Sequence, residues 1–162
     1  MDRLFSPWRL EYVTSGKPEA GCVFCEEPRQ EEPESLVVFR STRCYVILNR
    51  YPYNNGHLMV APYRHVATLA ALEPGELQEI AQLTQLSETA LGEAYRPQGL
   101  NVGINLGKTA GAGILEHLHV HLVPRWDGDT NFMTVAGSAR VLPEDLASGA
   151  RRLRPIFERL GK

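Results

Sequence analysis

The chain has 162 residues, of which 43% are hydrophobic and 22% charged, a size and balance that allow one domain with a substantial buried core. Its formal net charge of -2 at pH 7 excludes a general nucleic-acid coat, which needs a basic excess, while a phosphorylated small molecule needs only a local site. No apolar run is long enough to span a bilayer, and the opening Met1-Asp2-Arg3-Leu4-Phe5-Ser6-Pro7-Trp8 lacks the apolar core of a secretion signal, so a cytoplasmic chain without membrane partners is expected. Of its three cysteines, two stand in Cys22-Val23-Phe24-Cys25, a pattern that suits reduced thiols or a metal better than a disulfide framework. The acidic, proline-containing stretch Glu26 to Glu34 reads as a surface loop. Leu36 to Phe39, Cys44 to Leu48 and His57 to Ala61 then read as short strands, with Tyr53-Asn54-Asn55-Gly56 supplying the turn before the third.

From Pro74 to Tyr95 the period changes. Leu77, Ile80, Ala81, Thr84, Leu91, Ala94 and Tyr95 fall near one helical face, Pro74 suits a first turn, and Pro97 marks the stop. Two more strands, Leu100 to Leu106 and His117 to Val123, flank the glycine-rich Gly107-Lys108-Thr109-Ala110-Gly111-Ala112-Gly113. A second helix is predicted within Pro143 to Leu160, broken or kinked by Pro155. Strands grouped around one long helix predict an α+β fold with a mainly antiparallel sheet rather than a doubly wound one.

The chemistry concentrates in Glu116-His117-Leu118-His119-Val120-His121-Leu122-Val123-Pro124-Arg125, which holds three of the five histidines. In an extended segment alternate side chains share a face, so His117, His119 and His121 are presented together while Leu118, Val120 and Leu122 enter a core. Neighbours on that face lie roughly 7 Å apart, a spacing that suits one imidazole attacking phosphorus while others hold its oxygens. Imidazole is largely neutral at pH 7 and can attack without a separate base. Three histidines could also bind a catalytic zinc. The segment Gly103-Ile104-Asn105-Leu106-Gly107-Lys108-Thr109 ends like a P-loop, but it has three residues between the glycines where that motif needs four, and a strand follows instead of a helix. The nucleotide triphosphatase reading is therefore rejected, although a glycine-rich turn can still direct N–H groups at an anion.

His117-Leu118-His119-Val120-His121-Leu122-Val123 resembles the signature of the histidine-triad (HIT) family, and Asn49 with Gly56-His57-Leu58-Met59-Val60-Ala61-Pro62 is similar to that family's other signature. The resemblance implies a single HIT domain over residues 1–162, with its core at about 22–126 and extensions at both ends. It also implies a five-stranded, mainly antiparallel sheet with a long helix and a C-terminal helix, and a homodimer. It further implies a nucleotide-binding hydrolase or transferase in which His119 attacks the α-phosphorus of an adenine nucleotide or dinucleoside polyphosphate, giving a nucleotidyl-histidine resolved by water or phosphate. By the same carry-over His121 holds a phosphate oxygen, and His117 and His57 orient the triad. Asn49 meets the ribose, and Asn105 with Gly107, Gly111 and Gly113 holds phosphate oxygens.

Asp2 to Arg9, Leu48 to Asn54 and Pro124 to Met133 resemble the bacterial diadenosine tetraphosphate phosphorylase branch of the family, which implies a nucleotide contact for Trp126. Gly113 stands where that branch tends to have a small hydroxyl residue, and the glutamine that hydrolase-like members place before the triad is missing. Phosphate and water therefore both stay open as acceptor. Cys22 and Cys25, completed by His65 and His117, match the ligands of a structural zinc in related proteins. A nucleoside phosphoramidase, a non-catalytic nucleotide-binding protein and a hydrolase with zinc at the triad are the competing readings.

Overall fold

The computed structural model describes residues 21–32, 35–129 and 144–162. Five strands, β1 (Val37–Arg40), β2 (Cys44–Leu48), β3 (Leu58–Pro62), β4 (Gly99–Ile104) and β5 (Val120–Arg125), form one sheet in the order β1-β2-β3-β5-β4, every neighbouring pair antiparallel. Among the described residues the α-helices are a single turn, α1 (Val23–Glu26), the long α2 (Pro74–Tyr95) and the C-terminal α3 (Leu146–Leu160). This is the antiparallel α+β architecture expected from the sequence.

Strand β2 is buried along its whole length, which explains its unbroken apolar run: both faces of the sheet are covered there. On one face Cys44, Val46, Leu48, Leu58, Val60, Val120 and Leu122 pack under Ile80, Leu83 and Leu91 of α2 and Leu153 and Phe157 of α3. Each such aliphatic side chain contributes about 1.5–3 kcal/mol on full burial, so this layer carries the bulk of the stability. On the other face Tyr45, Ile47, Met59 and Ala61 form a smaller cluster with Phe24 of α1. That thinner face receives the histidines, because His121 pairs with Met59 across the ladder.

Helix α2 starts in a capping box. Glu76 accepts the Glu73 N–H at 2.8 Å, Glu73 caps in return, and Pro74 occupies the first turn. Glu76 also receives a two-pronged contact from Arg64, at 3.0 and 2.6 Å, which holds its carboxyl below the usual range even though it is almost fully covered. Because Glu76 must face Arg64, the buried stripe runs through Glu76, Ile80, Leu83, Ser87, Ala90 and Leu91. The apolar pattern placed Leu77 and Ala81 inward; both are exposed. The helix ends at Tyr95 because Arg96, standing before Pro97, is disfavoured in the helical region and turns left-handed at φ 48°.

Two other expectations need correction. Helix α3 runs on through Pro155 without the expected break; Pro155 and Arg151 are both exposed, so water can serve the carbonyl that loses its N–H partner. The stretch expected as a surface loop from Glu26 instead continues α1 into a 3-10 turn, Glu27–Arg29. Within it Glu27 is buried, its charge met by Arg50 at 2.7 Å.

Candidate active site

The histidine segment leaves the ladder earlier than its alternation suggests. Strand β5 begins at Val120, so of the three histidines only His121 lies in the strand. The two residues before His119 are held by other bonds: the Leu118 N–H donates to Val66 O at 2.6 Å, and the His117 ring bonds to Pro62 O at 2.8 Å. Alternation nevertheless survives, since Leu118, Val120 and Leu122 all enter the helix-side core. Phe24 contacts the rings of both His117 and His119, and His119 meets His121 edge-on with ring centroids 4.7 Å apart.

Hydrogen bonds fix the tautomers. His119 Nδ1 lies 2.8 Å from His117 O; a carbonyl only accepts, so Nδ1 carries the proton and Nε2 keeps its lone pair. Burial pushes the His119 imidazole below its ordinary value, opposed in part by that same bond. His57 works the other way round. The Tyr53 N–H donates to His57 Nδ1 at 3.1 Å, and the Asn49 amide nitrogen approaches it at 3.3 Å, so the proton sits on Nε2. That Nε2–H points at His121 Nδ1, 3.0 Å away, which makes Nδ1 the acceptor and leaves the proton of a neutral His121 on Nε2. Burial first, then His121 and His119, push His57 down to about 3. It is a neutral, fixed donor at pH 7.

A second cluster lies behind the first. Cys22, Cys25, His65 and His117 each offer one ligand atom, and those atoms all lie within 4.8 Å of one another. The Cys22 and Cys25 thiols approach His117 Nδ1 at 3.3 and 3.6 Å, and Cys25 approaches His65 Nδ1 at 3.4 Å. With Nε2 donating to Pro62 O, His117 turns an unprotonated Nδ1 toward the thiols, as ligating histidines commonly do. His65 Nε2 faces the Glu116 carboxylate at 3.9 Å, and its Nδ1 is the atom turned toward Cys25. Two thiols and two imidazoles are a donor set that suits tetrahedral zinc. Cys44 stays apart in the core, its thiol pushed up to about 12, chiefly by burial.

The HIT domain pattern matches residues 30–128 of the chain. The chain is 43% identical to the AP-4-A phosphorylase of Mycobacterium tuberculosis over 167 residues, covering 98% of this chain and 86% of that protein. This chain belongs to the HIT family. Among solved structures it is similar to a Zn-bound histidine triad family protein from Mycobacterium smegmatis, 29% identical with a TM-score of 0.70, covering 87% of this chain and 96% of that one. It is also similar to a hypothetical histidine triad nucleotide-binding protein from Sulfolobus tokodaii, 28% identical with a TM-score of 0.69, covering 86% and 93%. It is an enzyme of the HIT family's hydrolase or transferase type.

The other residues expected to matter in this HIT domain stand just after β2, β4 and β5 and in the turn between the last two. Asn49, half-buried, spans His57 and the Tyr51 N–H. Asn105 follows β4, and Gly107, at φ 83°, opens the glycine-rich turn that Gly111 closes at φ 89°. The Gly111 N–H donates to Lys108 O at 3.0 Å, so it shapes the loop. Beyond exposed Gly113, Ile114 packs against the cluster that contains Phe24. Trp126 is half-buried after β5, its backbone N–H donated to the Asp129 carboxylate. Asp129 in turn gathers Arg125 and Asn54, and Arg125 above all holds its carboxyl far below the usual range. The segments Asp2 to Arg9 and Thr130 to Met133 lie outside the described residues.

Sequence reading missed the backbone of Tyr53, the Asn54–Asp129 link and Phe24. Tyr53 and Asn54 were absorbed into a turn signal, which says nothing of where an N–H points. Phe24 could have been found, because a residue between two cysteines expected to share a metal with His117 is brought near His119.

Proposed function

We propose that this enzyme cleaves a dinucleoside polyphosphate of the diadenosine tetraphosphate kind at the α-phosphorus through a covalent nucleotidyl-His119. The observation that carries the proposal is the bond from His119 Nδ1 to His117 O, which leaves Nε2 as the nucleophile and needs no base to strip it. In the first step an Nε2–P bond forms, the bond from the α-phosphorus to the bridging oxygen breaks, and ATP departs. In the second, an acceptor oxygen attacks the same phosphorus and returns the electron pair to Nε2. Phosphate as acceptor gives ADP; water gives AMP and a proton. His121, with its proton held on Nε2 by His57, donates to a phosphate oxygen as charge builds, and such prepositioned donors are worth several kcal/mol. Asn49 is assigned to the ribose, Asn105 with Gly107, Gly111 and Gly113 to phosphate oxygens, and Trp126 to the nucleotide. His117 acts indirectly, through its carbonyl on His119.

Zinc is assigned to Cys22, Cys25, His65 and His117, where it supplies a structural cross-link and takes no part in the reaction. We place the domain over the whole chain, residues 1–162. Its setting is cytoplasmic, where thiol ligands stay reduced; no helix among the described residues is long and apolar enough to cross a membrane. A homodimer is proposed through β4, which ends the sheet and exposes Val102.

Product analysis with diadenosine tetraphosphate, with and without inorganic phosphate and with His119→Ala as control, tests the reaction. ADP plus ATP formed only with phosphate establishes phosphorolysis, and AMP plus ATP without it establishes hydrolysis. Wild-type turnover by His119→Ala would sink the covalent mechanism, and phosphoramidates would become the next substrates to try if the wild type made no product.

A further inference from the structure

We infer that Phe24 is a positioning residue for His119, holding the imidazole plane so that Nε2 is aimed before substrate arrives. The inference rests on the reading of His119 as nucleophile given above. One hydrogen bond, from Nδ1 to His117 O, tethers the ring at one corner. A single tether fixes a distance but leaves the ring able to swing about it, and an attacking nitrogen needs direction as well as proximity.

Phe24 supplies the missing constraint. Its ring lies face to face with His119, centroids 4.6 Å apart and planes 29° apart, an arrangement within the usual range for paired flat rings. His121 closes the edge with its plane at 77°, so the imidazole is bounded by one flat surface and one edge. Phe24 is also well anchored: it is 2% exposed, and its carbonyl accepts a 2.6 Å hydrogen bond from the hydroxyl of Tyr45 in β2. The turn around it is closed by the Cys25 and Glu26 N–H groups, both donating to Cys22 O. A residue placed only to fill space would need volume; this one presents a plane to the reacting ring from a backbone held by those hydrogen bonds.

Phe24→Leu keeps an apolar side chain and removes the plane, so it separates aiming from filling. Its kcat with diadenosine tetraphosphate and phosphate is expected to fall roughly tenfold to a hundredfold, the scale of loss for a misaimed reactive group. KM should stay within about twofold, the result required of a residue that acts only through His119. Phe24→Met serves as the second variant and should behave alike. In the substrate-free protein, nuclear magnetic resonance of the His119 ring protons, assigned with His119→Ala, gives a readout independent of turnover. Stacking under Phe24 moves these resonances upfield, and both variants should return them downfield.

Folded Phe24→Leu and Phe24→Met with wild-type kcat, or unmoved His119 resonances, would overturn the inference. A loss confined to KM would overturn it too, by making Phe24 a substrate contact. An inactive His119→Ala beside fully active Phe24 variants removes only the role of Phe24; an active His119→Ala removes the nucleophile reading itself.

Discussion

His57 shows how one buried imidazole can set the protonation of its neighbours. Two donors converge on its Nδ1, so its Nε2–H is committed to His121, and the pair behaves as a fixed relay. The same burial that keeps His57 neutral couples it to stability. Its folded value is down at about 3 against an ordinary 6.5, so the unfolded chain binds the extra proton first as pH falls. Stability from this residue is complete above 6.5 and declines as the pH drops from there toward 3. Between about pH 7.5 and 5.5 the loss is close to 1.4 kcal/mol for one such histidine. Carboxylates such as Glu76 and Asp129 contribute only at lower pH, because their unfolded values lie near 4. Urea unfolding of wild type and His57→Gln at those two pH values checks this: the variant should lose less stability on acidification by about that amount, and equal losses would show that His57 is protonated in the folded state. The legibility of this site is uneven at residue scale. The triad and the Cys22–Cys25 pair stood out by their spacing, whereas Asn49, His57 and His65 entered through the resemblance to the HIT signatures. The tautomers were not legible, since they depend on a carbonyl and an amide that every residue carries.

At the scale of elements, alternation and capping signals placed all five strands and both longer helices, and the errors came where a long-range contact overrode a local pattern. Glu76 turned the face of α2 because Arg64 lies beyond β3, and Val66 and Pro62 drew the backbone around His117 and Leu118 out of β5. Pro155 was tolerated because its side of α3 faces water. One feature of α2 still runs against the packing: Ser87 is fully buried, and its hydroxyl has no hydrogen-bond partner among the described residues. An unpartnered buried hydroxyl costs about 1–3 kcal/mol, and alanine is also the better helix former. Ser87→Ala should therefore raise the urea midpoint by an amount equivalent to about 1 kcal/mol, with the slope of the transition unchanged. A lower midpoint would mean that Ser87 has a partner supplied by another segment or by water.

For the molecule as a whole, the two ends of the sheet differ. The β1 end is closed by α3, where Arg154 reaches the carbonyls of Ser35 and Val37, whereas β4 carries Val102 at 52% exposure. If two chains meet there, Val102→Lys should shift the sedimentation coefficient from dimer to monomer; an unchanged dimer would place the interface elsewhere. The Cys and His cluster acts at the same scale. Its ligands come from three distant stretches: α1 with the residue before it, the segment after β3, and the approach to β5. A metal there ties the thin layer over the histidine face to the sheet, and it binds the folded chain alone, so its stabilisation grows with its concentration relative to Kd. At a thousandfold excess over Kd this amounts to about 4 kcal/mol. Protein purified without chelator should carry one zinc per chain, lose Tm on treatment with a strong chelator, and regain it on adding zinc. Cys22→Ala should start from the lower Tm and respond to neither. Because zinc takes no part in the proposed reaction, substrate added at a temperature where the stripped enzyme is still folded should be turned over with the same products. A stripped, folded enzyme with no turnover at all would instead assign the metal to the chemistry and favour the metal-dependent hydrolase.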